Sequence, residues 1–98
     1  MERDVALARL RPLEQRLRRR GVSALYLFGS VARDGASDVS DIDLAFETAP
    51  DSRFNLFDQA QIQSELAEEL RTKVDFVRRR ALRPHVMAEA EAEMVQVF

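Results

Sequence analysis

The sequence predicts an α/β (α+β) domain, a mixed sheet of about four strands with helices packed on it. Two observations carry this. Short apolar runs of strand length alternate with longer segments of helical spacing, in the order α-β-α-β-α-β-α-β. The 98 residues also contain no internal repeat, low-complexity stretch or linker, so a single domain over 1–98 is expected. That length suffices for one hydrophobic core without covalent staples.

Each element follows from local chemistry. Leu7, Leu10, Leu13 and Leu17 recur at roughly helical spacing and predict a helix over about 3–20. Pro12 lies inside it, lacks an N–H and crowds the preceding turn, so a kink or restart is expected near Arg11. Gly21 suits the stop. Residues 22–28, Val-Ser-Ala-Leu-Tyr-Leu-Phe, read as a buried strand ending at Gly29. A short helical turn over 30–33 and a loop over 34–40 follow. In 41–46, Ile42, Leu44 and Phe46 alternate with Asp41, Asp43 and Ala45, the pattern of a strand. Pro50, Asp51 and Ser52 break the chain and offer a helix cap. Phe54, Phe57, Ile62, Leu66 and Leu70 then predict a helix to about residue 71, with both phenylalanines in the core. A third strand over 74–77, a polar helix over 82–92 with Pro84 in its first turn, and a last strand over 94–98 complete the chain. Tyr26 is expected in the core, and the lone His85 as an ordinary, partly exposed residue.

Composition excludes several functions. The chain has no cysteine, hence no disulfide, thiolate metal site or thiol nucleophile. No apolar run approaches the ~20 residues of a membrane span, and the N-terminus lacks a signal-peptide pattern. A cytoplasmic location and no membrane partner are expected. The formal net charge of −2 argues against coating DNA. Two basic runs stand out, Arg16, Arg18, Arg19 and Arg20, then Arg78, Arg79, Arg80 and Arg83. They are either solvated helix faces or surfaces for phosphates or an acidic partner.

The chemistry concentrates in Phe28-Gly29-Ser30-Val31-Ala32-Arg33 and Ser40-Asp41-Ile42-Asp43-Leu44. Asp41 and Asp43, two apart on a strand, leave the same face. Two carboxylates held side by side repel unless a cation lies between them, and hard oxygen ligands on a rigid strand suit Mg²⁺. A solvated strand face would show alternating acids as well, and a plain turn would explain Gly29-Ser30 alone. The combination is more specific. A strand that runs into Gly-Ser and a short helix lets the backbone approach a phosphate, with N–H groups and a hydroxyl as donors.

This combination resembles the DNA polymerase beta nucleotidyltransferase superfamily, and in particular its minimal branch, the MNT-domain proteins. The resemblance covers nearly the whole chain. It implies a third acid on a later strand, which Asp75 in Val74-Asp75-Phe76-Val77 supplies. It further implies that Asp41 and Asp43 hold two Mg²⁺ ions, that Asp75 shares one, and that Asp75 favours deprotonation of the attacking hydroxyl. Gly29 and Ser30 would hold the triphosphate of ATP, with Arg33 and Ser40 grouped beside them. Arg33 is either a phosphate contact or a structural bridge to Asp41 or a nearby carbonyl. Asp34 intervenes before Gly35, where many relatives have glycine directly after the arginine, so the loop is expected to take a different path.

Three functional readings follow. By resemblance, the chain transfers AMP from ATP to a tyrosine hydroxyl of a HEPN-domain toxin and is that toxin's antitoxin, with hetero-oligomeric assembly. Alternatively it neutralises its partner by steric contact alone. Thirdly, it is the catalytic half of a two-chain enzyme acting on a small molecule such as an aminoglycoside.

Overall fold

The computed structural model describes residues 1–32 and 41–98. The elements are α1 (Arg3–Leu10), a 3₁₀ turn (Arg11–Leu13), α2 (Glu14–Arg19), β1 (Val22–Phe28), α3 (Gly29–Ala32), β2 (Ile42–Thr48), α4 (Leu56–Leu70), β3 (Val74–Arg78), a second 3₁₀ turn (Arg79–Ala81), α5 (Pro84–Glu93) and β4 (Val95–Gln96). The first helical segment restarts at Pro12, where the chain tightens into the 3₁₀ turn.

The four strands form one mixed sheet in the order β3-β2-β1-β4. β1 runs antiparallel to β2 and to β4, whereas β2 and β3 are parallel. A parallel pair needs a long crossover, and α4 provides it. A bulge between Val22 and Ala24 shifts the β1–β2 register near the start of β1.

One face of the sheet carries the core. Leu25 and Leu27 of β1, Ile42, Leu44 and Phe46 of β2 and Val74 and Phe76 of β3 join a single buried cluster. Leu7, Leu10, Leu13 and Leu17 from the first helical segment and Ile62, Leu66 and Leu70 from α4 close over it. Phe46 stacks on Phe76 with centroids 4.2 Å apart and meets Phe54 at 5.1 Å. Truncating one such aliphatic side chain to alanine costs about 2–5 kcal/mol in comparable cores.

Two expectations fail at the start of α4. The cap is Asn55, whose side chain accepts from Asp58 N–H while Asp58 accepts from Asn55 N–H. Ser52 instead accepts from Phe54 N–H at 3.1 Å. Phe57 is 86% exposed and outside the core. The buried stripe of α4 repeats every four residues through Ile62, Leu66 and Leu70. Phe57 lies five positions before Ile62, which is about 140° around the helix. Only Phe54, placed before the helix, packs against the core.

Both free main-chain groups of Phe76 on the outer strand β3 are engaged by α4. Gln63 Oε1 accepts from Phe76 N–H at 2.9 Å, and Gln59 Nε2 donates to Phe76 O at 3.0 Å.

Candidate functional site

The second sheet face is assembled from the alternate residues of the same strands. Asp43, Ala45 and Glu47 of β2 point there, opposite to Ile42, Leu44 and Phe46. Cross-strand partners share a face, so Phe28 and Tyr26 of β1 join Asp43 and Ala45, and Asp75 and Val77 of β3 join them from the other side.

Asp43 and Asp75 are register partners on parallel strands. Their carboxyls interact directly, and the Asp43 carboxyl is held above its ordinary pKa. Burial is the first cause, followed by the charge of Asp75, a hydrogen bond with it, and the charge of Asp41. All four penalise the ionised form. The two strands therefore bring acids from distant parts of the sequence to one point.

Asp41 stands just before β2, not inside it as expected. Ile42 N–H donates to Lys73 O at 3.0 Å, and Asp41 Oδ2 lies 3.8 Å from Lys73 Nζ. The Asp41 side chain is 44% exposed in this pair. Among the described residues, no three histidine or acidic side chains are disposed to hold one metal ion together. Asp43 and Asp75 meet, and Asp41 contributes its charge from beside Lys73.

Gly29 is the third part of the site. It continues β1 directly after Phe28, the partner of Asp43. Its φ of +76° is a conformation that other L-residues rarely adopt. A Cβ built there would collide with Asp43 Oδ2 and lie 3.1 Å from Asp43 Cγ. The glycine thus lets main chain approach the acid pair where any side chain would intrude. Ser30 lies in the first turn of α3. Arg33 and Ser40 fall outside the described residues.

The donor set fits divalent magnesium. The ligand atoms of Asp43 and Asp75 are hard carboxylate oxygens, and burial together with the charges of Asp75 and Asp41 disfavours the ionised Asp43 carboxyl, a cost that a divalent cation would relieve. Between Gly29 and α5 lies a cleft of about 530 Å³, walled by Phe28, Val86 and Ala90.

The same face carries a second cluster not anticipated from the sequence. Arg79 Nη1 donates to Glu47 Oε1 at 2.8 Å and Arg79 Nη2 to Glu91 Oε1 at 3.1 Å, which ties α5 to β2. The Tyr26 hydroxyl donates to the same Glu47 oxygen at 3.0 Å, and its ring lies 4.7 Å below the Arg79 guanidinium. These bonds hold Glu47 below the ordinary glutamate pKa. Tyr26 is half-buried in this network instead of lying in the core. Its hydroxyl is held above the usual tyrosine pKa, by burial first and then by Glu47. The period-two spacing Asp43–Glu47 and Asp75–Arg79 was the available signal.

With this geometry in place, residues 12–98 match the family model described as polymerase beta, nucleotidyltransferase. A comparison with curated protein sequences finds no match. Among solved structures, a protein described as a minimal nucleotidyltransferase is similar at 29% identity with a TM-score of 0.79, over 97% of this chain and 95% of that one. A toxin–antitoxin complex with AMP-PNP gives 23% identity and a TM-score of 0.74, over 92% of this chain and 72% of that one. A complex of a tri-AMPylated HEPN toxin of Shewanella oneidensis with its MNT antitoxin gives 22% identity and a TM-score of 0.68, over 93% and 70%. The latter two are likenesses of fold.

Proposed function

Because the chain belongs to the polymerase beta nucleotidyltransferase family, we propose that it transfers AMP from ATP to a hydroxyl of a HEPN-type toxin and so serves as its antitoxin. The observation that carries this reading is the meeting of Asp43 with Asp75 directly against Gly29. Two of the most similar folds come from toxin–antitoxin complexes, one with AMP-PNP and one with an AMPylated HEPN toxin.

In this reading Asp41, Asp43 and Asp75 hold two Mg²⁺ ions, with Asp41 turning from Lys73 toward Asp43. Bound there, the ions supply charge neutralisation for an in-line displacement at phosphorus. The protein's own part is positioning. Gly29 admits the triphosphate to the main chain, with Ser30, Arg33 and Ser40 grouped beside it. Asp75 accepts the proton of the acceptor hydroxyl as that oxygen bonds to the α-phosphorus and pyrophosphate departs.

The test is incubation with Mg²⁺, ATP and a HEPN-type toxin, followed by intact mass. A toxin mass increased by multiples of an AMP residue is expected. Full neutralisation of the toxin in cells by Asp43→Ala, with no mass change, would replace this reading with steric inhibition. Label appearing on an aminoglycoside but not on protein would move the acceptor to a small molecule.

A further inference from the structure

Among the described residues, the exposed large hydrophobic side chains are Val5, Leu56 and Phe57, and the last two stand together in the first turn of α4 at 77% and 86% exposure. Apolar surface gathered at one place on an otherwise well-covered molecule marks a contact with another molecule. Phe57 also heads a longer stripe. At 100° per residue, Phe57, Ala60, Gln61, Ser64 and Glu68 fall within an arc of about 100°. All five are exposed, on the side of α4 opposite the buried Ile62, Leu66 and Leu70. Ala60 and Ser64 are small and sit at the middle of the stripe, where they let a second helix come close.

The charges at the two ends of this stripe are unmatched. Glu65 and Glu69 are neutralised by Arg20 and Arg16 at 2.8 and 2.7 Å. Glu68 points outward between them and has no ion pair among the described residues. Arg53, two residues before the cap Asn55, is exposed and likewise has none there. Each charge stands where the α4 dipole disfavours it, an acid in the last turn and a cation ahead of the first. An antiparallel copy of the same helix answers both. With Arg53 of one copy opposite Glu68 of the other, Phe57 faces Ser64 and Ala60 faces Gln61, and two-fold symmetry repeats each contact. The stripe is thus complementary to itself.

We propose that two copies of this chain pair antiparallel through α4, with Phe57 of each packed on Ser64 of the other and Arg53 bonded to Glu68 at both ends. α4 covers the core face of the sheet, so pairing leaves Asp43, Asp75 and Gly29 of each copy open on the other face. One helix per chain makes a contact at or below the ~1,200 Å² low end of specific interfaces, and a weak, reversible dimer is expected. In dilute solution Phe57 stays in solvent.

The test is sedimentation equilibrium of the full chain from about 5 to 500 μM, a range that brackets weak association. The average mass is expected to rise from monomer toward dimer across it. Arg53→Glu and Glu68→Arg should each keep the chain monomeric at the top of the range, because like charges then meet at both ends. An equimolar mixture of the two should regain the wild-type curve, since acid then faces base at both ends of the mixed pair. Phe57→Ser should weaken association about tenfold or more, with circular dichroism showing an unchanged fold. Wild type that stays monomeric throughout, single variants that associate as wild type does, or a mixture that stays monomeric overturns the proposal. A monomeric wild type whose Phe57→Ser variant no longer binds a HEPN-type toxin would assign the stripe to that toxin and overturn it as well.

Discussion

The two ends of one sheet face make opposite use of the same strands. Near the start of β2 and β3, Asp43 and Asp75 stand side by side with the charge of Asp41 added, and the Asp43 carboxyl is driven above its ordinary pKa. Two side-chain layers further on, Glu47 meets Arg79 and Tyr26 and is held below its ordinary pKa. The backbone is continuous, but at Asp43 burial and acidic neighbours act in the same direction, whereas at Glu47 the bonds from Arg79 and Tyr26 outweigh burial. A domain that matches an acid with arginine at one end could have done so at the other. Leaving the upper pair unmatched costs stability, which is the usual mark of a site arranged for a ligand.

The contrast can be broken most severely at Asp43. Asp43→Asn should lower nucleotide transfer on the order of 10³-fold or more, since several kcal/mol of charge stabilisation are at stake. The same substitution should raise the melting temperature of the metal-free protein by removing the repulsion, as calorimetry in EDTA would show. A fall in both quantities would mean that Asp43 is structural.

Next comes Gly29→Ala. Its Cβ would enter the space of the Asp43 carboxylate from a positive φ. A cost of about 1–3 kcal/mol is expected, or a drop of roughly 4–8 °C per kcal/mol for a domain of this size. A melting temperature equal to wild type would show that the approach is not tight.

The pH response should separate the two ends by sign. Asp43 has a folded pKa above its unfolded value, so the folded state holds the proton more tightly. Its contribution is greatest below the unfolded carboxylate range and is lost as pH rises through the folded pKa. Glu47 is shifted down, so its contribution is present above the unfolded glutamate range and lost as pH falls through the lowered pKa. In EDTA, Asp43→Asn should flatten the loss of stability on raising pH, and Glu47→Gln the loss on lowering it. Identical pH profiles for the two variants would dissolve the distinction.

The smaller effects lie at the surface. Arg79→Met unties α5 from β2 but breaks only half-exposed ion pairs, so about 1 kcal/mol or less is expected from urea midpoints. Phe57→Ser should change stability by less than about 0.5 kcal/mol, because that ring is already in solvent. A loss of several kcal/mol would return Phe57 to the core.

What the sequence disclosed divides along physical lines. The strands around Tyr26, Leu44 and Phe76 were legible because alternation and apolar runs encode burial directly. The order of elements was therefore readable, with bounds displaced by up to two residues at β2, α4 and α5 and most at β4, which shrinks to Val95–Gln96 from the expected 94–98. The Gly29 turn and the acids could be named from their spacing. The contact of Gly29 with Asp43 could not, since it depends on antiparallel register, a property of two strands together. The Arg79 network was hidden for a similar reason. Arg78, Arg79 and Arg80 look alike in sequence, and only the tertiary structure sets Arg79, at the start of the 3₁₀ turn after β3, against Glu47 and Arg78 over Phe46. The cap at Asn55 was missed because Ser52 and Asn55 are both competent, and the choice is made by where Phe54 must pack.

The clasp of Gln59 and Gln63 on Phe76 has a consequence for the residue beside it. Phe76 directly follows Asp75, so the two amide side chains act as a pawl that stops β3 from sliding by one notch against β2. A slip of that size would send Asp75 into the leucine-rich interior and bring a hydrophobic side chain up to Asp43. The alignment of the two acids is thus guarded from the edge of the sheet, by two amide side chains of α4.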